Sequence, residues 1–311
     1  MYSNDTCRVK VVGFLSDEIR PNQGVRQGCV LSPLLFNLFL ADLPDLFNDD
    51  INTPKIDEMN KISCLLWADD LILFSETESG LNNMINKLSD YNELNSISLN
   101  VDKTKCMTFN KTGRLIKRVF KYRDKLIESV REYKYLGFII TPSGEISTGL
   151  CDLKDRASRA LSHLRARMGD SFKKHVDTSM KLFDALIKPI LIYMSDFWGC
   201  LKLPKNNPIE IFQNKFLKLL GVQRQTTNIG VLLETGRIPM HIYAKRNCVK
   251  NSIRISKDQW NTLLQRSYQY SLETNSIWTK SVEHELASVG LYDLFLNNGS
   301  NVMSVENTLY I

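Results

Sequence analysis

Apolar residues recur along this chain with two different periods, and the change from one to the other divides it. Near the start, CRVKVV and FLSDEI flank Gly13 and read as two short strands. RPNQGVRQGCVLSP (20–33) is rich in Gly and Pro and reads as loop. Ser32 followed by Pro33 is a helix start, a cap and then proline at the first helical position. Leu34, Leu35, Leu38, Phe39 and Leu43 share one face, which predicts a helix to about Phe47. INTPKIDEMNK (51–61) reads as a connector. The apolar runs Ile62–Trp67 and Leu71–Ser75 flank Ala68-Asp69-Asp70 and predict a β-hairpin with acids at its tip. Helical spacing returns from Glu78 to Asn95 through Leu81, Met84, Ile85, Leu88, Tyr91 and Leu94.

ISLNVDKTKCMTFN (97–110) then reads as two short strands. RVFKYRDKLIESVREYKYLGFIITPSG (118–144) reads as three more, with turns near Arg123-Asp124 and between Ser129 and Glu132. After Pro142-Ser143-Gly144 only helical periods remain, from about 146 to 290, broken at Gly169, Pro189, Pro204, Pro208, Gly221, Gly236 and Pro239. The pattern predicts an α+β part followed by an all-α part, with a boundary near 143 and a loosely ordered tail, LNNGSNVMSVENTLYI.

The acid pair is the feature that this pattern does not absorb. Asp favours turns, so a hairpin tip is the simplest account. A metal-binding account competes with it. The flanking runs are wholly apolar, which implies burial on both faces and little water at the tip. Adjacent carboxylates repel each other unless a cation neutralises them, and Ala68 leaves room for a bulky ligand. Carboxylate oxygens suit hard divalent ions. Two such ions, ~4 Å apart, can activate a 3′-hydroxyl and stabilise departing pyrophosphate in nucleotidyl transfer. These residues alone leave both accounts open.

Composition narrows the class. The chain has 311 residues, of which 43% are hydrophobic and 24% charged, enough for real cores. Seven scattered cysteines, none in a C-x-x-C pair, argue against a disulfide framework or a zinc knuckle and for a reducing compartment. MYSNDTCRVK shows no apolar signal segment, and the most apolar stretches are too short to span a bilayer. No membrane association is expected. The net charge of +6 hides an asymmetry: residues 1–102 carry 7 Lys/Arg against 16 Asp/Glu, residues 103–188 carry 20 against 9. That basic middle block is a candidate polyanion surface, with a solvated helix face as the other account.

Four segments together resemble a known family. WADDLILFS resembles the [FY]-A-D-D box of reverse transcriptases, with Trp67 at the aromatic position. NQGVRQGCVLSPLLFNLFLADL (22–43) resembles the G-x-x-Q-G-x-x-L-S-P segment. SLNVDKTKCMTF (98–109) resembles the L-N-x-x-K-T segment, and YKYLGFIITPSG (133–144) the Y-L-G primer-grip segment of non-LTR (LINE-type) retrotransposon enzymes. The segments come in the family's order and spacing, and LFDALIKPILIYMSDFWG resembles its thumb and post-thumb region, so the resemblance runs over nearly the whole chain.

The resemblance implies a partial polymerase palm, an antiparallel sheet with packed helices (1–143), then a thumb-like helical region (144–221) and a C-terminal helical region (222–311). It implies Mg²⁺ in a two-metal site, with Asp69 a ligand and Asp70 a ligand or support. Arg26, Gln27 and Gly28 would line the nucleotide and template pocket, with Gly28 permitting close backbone approach. Lys103 would protonate departing pyrophosphate, and Tyr135, Leu136 and Gly137 would hold the primer end. Arg156, Arg159, Arg165, Arg167, Lys173 and Lys174 would contact a duplex backbone, because phosphate contacts hold without reading sequence. The implied partners are an RNA template, a DNA primer or target and deoxynucleoside triphosphates. The implied setting is intracellular, and nuclear by family analogy.

The sequence also departs from the family. A further palm aspartate would come from a strand well upstream of the G-x-x-Q-G loop, yet only Asp5, Asp17 and Glu18 precede Gly24, in unlike surroundings. Finger segments and an endonuclease have no counterpart here. The chain is therefore expected to be a reverse transcriptase fragment inactive by itself, with a non-catalytic nucleic-acid-binding remnant of a mobile element as the alternative. Exposed apolar surface is expected where the missing parts would pack.

Overall fold

The computed structural model describes residues 6–20, 24–48, 51–56, 61–221, 225–258 and 262–292. The tail from Leu296 to Ile311, expected to be loosely ordered, lies outside them, as do Asp5 and part of the 51–61 connector. The fold is α+β, with small sheets first and helices after.

β1 (Lys10–Val11) and β2 (Phe14–Leu15) form a hairpin around Val12-Gly13, extended by a bridge between Cys7 and Ile19. α1 (Ser32–Phe39) ends eight residues before the expected Phe47. Pro44 explains the early stop: it lacks an amide hydrogen and its ring opposes the carbonyl four residues back. The chain re-forms as a 3₁₀ turn, Leu43–Phe47, with Pro44 in its first turn. Ser32 does not cap α1; its hydroxyl donates to the Arg26 carbonyl at 2.5 Å. β3 (Cys64–Trp67) and β4 (Asp70–Leu73) form the expected hairpin. α2 (Glu78–Leu94) begins behind Thr77, whose Oγ1 accepts from the Gly80 amide at 3.1 Å.

The strand region departs from expectation in two places. Only β5 (Lys105–Cys106) forms within 97–110, since a tight turn at Asn100–Thr104 takes up the residues before it. Beyond it come four strands rather than three: β6 (Phe120–Tyr122), β7 (Lys125–Ser129), β8 (Tyr133–Tyr135) and β9 (Phe138–Ile140). The extra break is Leu136-Gly137, both at positive φ, which turns the chain between β8 and β9.

Helices then follow as expected: α3 (Ser147–Met168), α4 (Ser171–Lys174), α5 (Val176–Leu182), α6 (Lys188–Leu191), α7 (Ser195–Trp198), α8 (Pro208–Leu219), α9 (Asn228–Glu234), α10 (Met240–Lys257), α11 (Thr262–Glu273) and α12 (Ile277–Ser288). Gly169 follows α3 at positive φ, and Asn207 caps α8 ahead of Pro208. Pro189 does not break the chain as expected. A π-helical turn, Phe183–Ile187, links α5 to α6 and absorbs the proline's missing hydrogen bond.

The chain divides into two compact units, and the division is not at 143. The first comprises residues 1–104 and 120–127; the second comprises 105–119 and 128–311. In the first, Leu40, Leu43, Phe47, Met84, Leu88 and Tyr91 form the core. In the same unit Val11, Phe14, Val30, Leu34, Leu38 and Phe39 are exposed. In the second, the core gathers residues from α3 to α10, and Phe138 of β9 is part of it. That packing is why the β8–β9 hairpin belongs with the helices. Among the described residues no helix is long and apolar enough to cross a membrane.

Candidate functional site

The acid pair sits where the pattern placed it, in other surroundings than expected. Trp67 pairs with Asp70, so Ala68 and Asp69 are a two-residue hairpin loop. Such loops need positive φ at their first position, and Ala68 supplies it at 53°. Side chains alternate across a ribbon. Cys64, Leu66, Leu71 and Leu73 pack on the core of the first unit. Leu65, Trp67, Asp70 and Ile72 therefore lie on the opposite face. Asp69 and Asp70 are exposed, and so is Trp67, at 66%. The expectation of a dry tip, buried on both faces, is corrected: a two-stranded ribbon buries one face on a core, and its tip reaches water.

The glycine-glutamine loop is a turn. The Cys29 amide donates to the Arg26 carbonyl at 3.2 Å, with Gly28 between them at φ 84°. That is the position at which a type II turn demands glycine. Nothing lies within 4 Å of where a Gly28 Cβ would be, so the glycine serves the turn and leaves its outer side open. Arg26 and Gln27 are exposed. Lys103 is exposed too, on a turn in which Asn100 Oδ1 accepts from the Lys103 amide at 3.2 Å. Among the described residues no hydrogen bond or ion pair joins Asp69 or Asp70 to Arg26, Gln27 or Lys103. No group of three or more His, Cys, Asp and Glu side chains placed to hold a metal occurs among them.

In the second unit, the Tyr135-Leu136-Gly137 segment is the β8–β9 turn, and two side chains hold its carbonyls. Tyr193 Oη donates to the Leu136 oxygen at 2.5 Å, and Arg156 donates to the Gly137 oxygen at 2.7 Å. Arg156 also pairs with Asp152 at 3.0 Å and lies over the Tyr193 ring. Lys134 of β8 reaches the same Asp152 carboxylate at 3.0 Å. Sequence reasoning missed Tyr193 and Asp152. The spacing of Asp152 four residues before Arg156 was the available signal.

This network changes the role expected of Arg156. Its guanidinium is half-buried and engaged inside the molecule, so it supports the turn rather than facing a duplex. Arg159, Arg165, Arg167, Lys173 and Lys174 are exposed, on the outer side of α3 and on α4. No carboxylate pairs with any of these five among the described residues. Arg165 lies over the Phe172 ring at 5.9 Å.

These turns fall where a known domain is matched. Residues 6–140 match the family described as "Reverse transcriptase (RNA-dependent DNA polymerase)". The segment is thus similar to reverse transcriptases, as its motifs led us to expect. The relatives are proteins of non-LTR retrotransposons. The chain is 33% identical over 144 residues to the Pol polyprotein of type-2 retrotransposable element R2DM of Drosophila melanogaster, covering 43% of this chain and 13% of that protein. It is 40% identical over 92 residues to the Pol polyprotein of type-1 retrotransposable element R2 of Nasonia vitripennis, covering 28% and 8%. It is 25% identical over 226 residues to the RNA-directed DNA polymerase from mobile element jockey of D. melanogaster, covering 70% and 24%. The chain thus spans under a quarter of the length of each of these relatives. The family match ends at Ile140, short of the whole-chain resemblance expected, while the jockey similarity covers 70% of the chain.

Proposed function

We propose that this chain supplies the metal-binding turn and the duplex-holding helices of an RNA-directed DNA polymerase of a non-LTR retrotransposon. The observation that carries this reading is the Trp67-Ala68-Asp69-Asp70 turn. It lies inside the matched segment with both carboxylates accessible on a tight loop. Adjacent, solvated carboxylates fit a hydrated Mg²⁺, which takes one or two carboxylates and keeps several waters. A bound ion would lower the charge on the reacting phosphate oxygens. Two ions need ligands on both sides, and the pair comes from one turn, so a further carboxylate has to join it in the working enzyme. Gln27 and Gly28 present an open turn to nucleotide and template, Lys103 a cation to departing pyrophosphate, and the Tyr135–Gly137 turn a fixed edge to the primer end. Arg159, Arg165, Arg167, Lys173 and Lys174 track the duplex.

The test is primer extension on an RNA template with deoxynucleoside triphosphates and Mg²⁺. This chain alone is expected to be inactive. A longer protein containing it is expected to extend the primer and to lose that activity in Asp69→Ala. Extension by the chain alone, or full activity of Asp69→Ala, would overturn the reading. The lack of a third metal-ligating group among the described residues favours one second reading, a non-catalytic nucleic-acid-binding remnant. Duplex binding with no extension by any longer protein would select it.

A further inference from the structure

In the helical unit, α7 and α10 meet at two buried cysteines. Gly199 follows α7, and a Cβ there would collide with the Ala244 carbonyl of α10, so the absent side chain lets the two backbones touch. Cys200 is the next residue, and Cys248 lies about one helical turn beyond Ala244. Cys200 Sγ donates to the Lys245 carbonyl of α10 at 3.8 Å, and Cys248 Sγ donates to the Phe197 carbonyl of α7 at 4.0 Å, so each thiol reaches across to the other's side. The two thiols also hydrogen-bond to each other. They share one apolar cluster with Val249, Val282 and Leu286. A disulfide needs a close backbone approach of this kind, with Cα atoms about 4.4–6.8 Å apart.

Burial alone would explain two cysteines as small apolar side chains. Two features go beyond that account. First, neither thiol hydrogen is needed where it is. The Phe197 carbonyl also accepts from Trp278 Nε1 at 2.8 Å. The Lys245 carbonyl lies inside α10, on the helix's own hydrogen-bond ladder. Losing both hydrogens therefore leaves no buried acceptor without a partner. Second, the thiols differ. Their shared hydrogen bond, ahead of burial, favours the thiolate at Cys248 and the protonated thiol at Cys200. The thiolate is the form that peroxides oxidise. Among the described residues no third His, Cys, Asp or Glu joins the pair to hold a metal.

We propose that Cys200 and Cys248 form an oxidative modification site, which closes into a reversible disulfide when a peroxide is present. Hydrogen peroxide gives one oxygen to the Cys248 sulfur: the O–O bond breaks, an S–O bond forms and one water leaves. The Cys200 sulfur then attacks the Cys248 sulfur. The S–O bond breaks, the S–S bond forms, and the hydroxyl departs with the Cys200 proton as a second water. Two thiols are oxidised by two electrons, and one peroxide is reduced. A thiol reductant reverses the step by exchange, so in a reducing compartment the bridge is transient. Cys248 is fully buried and Cys200 is 6% exposed. Peroxide therefore enters on local opening of α7, which is a single turn of helix. The bridge fixes α7 to α10. Trp198 of α7 donates to the Tyr193 carbonyl at 2.8 Å, and Tyr193 holds the Leu136 oxygen, so the bridge also steadies the base of the β8–β9 turn.

The test treats the reduced full chain with hydrogen peroxide, blocks the remaining thiols and maps disulfides by mass spectrometry after proteolysis. A Cys200–Cys248 cross-link is expected, and dithiothreitol is expected to remove it. The oxidised chain is expected to melt about 5–10 °C above the reduced one, because the bridge restricts the unfolded chain. Cys200→Ser keeps a donor beside Cys248 but cannot bridge, so it is expected to show no such rise, with its folding checked by circular dichroism. If that variant does not fold, the cross-link in the wild-type chain decides. Recovery of both cysteines as free thiols after peroxide, a bridge that forms only in urea, or an equal rise in Cys200→Ser would overturn the proposal. So would pairing of Cys200 or Cys248 with the exposed Cys7 or Cys151 instead. None of these readouts involves primer extension, so failure here and failure of the polymerase reading are told apart.

Discussion

Gly149, in the first turn of α3, is where the primer-grip-like hairpin meets the helical core, and Gly149→Ala tests that contact. A Cβ there would lie 2.4, 2.7 and 2.9 Å from three ring carbons of Phe138. Carbon atoms pack at about 3.5–4.0 Å, so the ring would have to retreat by roughly 1 Å. It has nowhere to go: Phe138 is 3% exposed, and Leu150 and Leu153 of the same core are fully buried. Overpacking of this kind costs ~1–3 kcal/mol. Alanine returns at most ~1 kcal/mol of helix propensity over glycine. The expected net loss is about 1–2 kcal/mol, read as a lower urea midpoint with unchanged slope. The steric account makes a sharper prediction in the Phe138→Leu background, where the clashing ring atoms are gone. There Gly149→Ala should be neutral or stabilising by up to ~1 kcal/mol. Equal destabilisation in both backgrounds would refute the claim that Gly149 exists to admit Phe138.

Three further outcomes follow from named contacts. Arg156→Ala should cost about 2–3 kcal/mol in urea unfolding, because it removes a charged hydrogen bond to Gly137 and a partner of Asp152, while Arg159→Ala on the exposed side should stay within ~0.5 kcal/mol; equal costs would contradict the division of α3 arginines into engaged and available. Burial first, then the hydrogen bond to Asp42 and its charge, push the Tyr91 phenol up to about 12. A raised folded value gives stability that is present below the unfolded value of ~10 and lost as pH rises toward about 12, so Tyr91→Phe should flatten the fall in unfolding free energy over that window; an unchanged fall would sink the assignment. Asp69→Asn with Asp70→Asn should leave the thermal midpoint unchanged, since both side chains are exposed, and a marked shift either way would show that the pair is structural.

Elements governed by local pattern were legible. The β3–β4 hairpin, the 78–94 helix and the helical run after 146 all follow from periodicity that local sequence carries. The errors have separate causes. α1 was read too long because Leu43 continues the apolar face, whereas Pro44 acts on the backbone and overrides it. Leu136 was read as part of a strand because leucine is a poor residue for positive φ, yet it sits at 45° in a two-residue turn whose second residue is Gly137. Pro189 was read as a break because a single sequence gives no sign of a π-helical turn ahead of it. The turns at Asp69 and Gly28 were found by their residues, but their exposure was not. An apolar strand reads the same whether one face or both are covered, and covering depends on what else pairs with the ribbon.

The charge asymmetry shows the same limit in a form that bears on function. By density, residues 103–134 are the most basic stretch, with 11 Lys/Arg against 3 acids. Yet Lys105 pairs with Glu128 at 2.6 Å, Arg123 with Glu93 at 3.3 Å and Lys134 with Asp152 at 3.0 Å. A cation already facing a carboxylate releases few counterions when a phosphate arrives, since it must first give up its partner. From Arg159 to Lys174 the chain holds fewer cations, but no carboxylate pairs with one among the described residues. The polyanion surface proposed here is therefore set by which cations lack acidic neighbours after folding, which favours α3 and α4 over the strands where the count is highest.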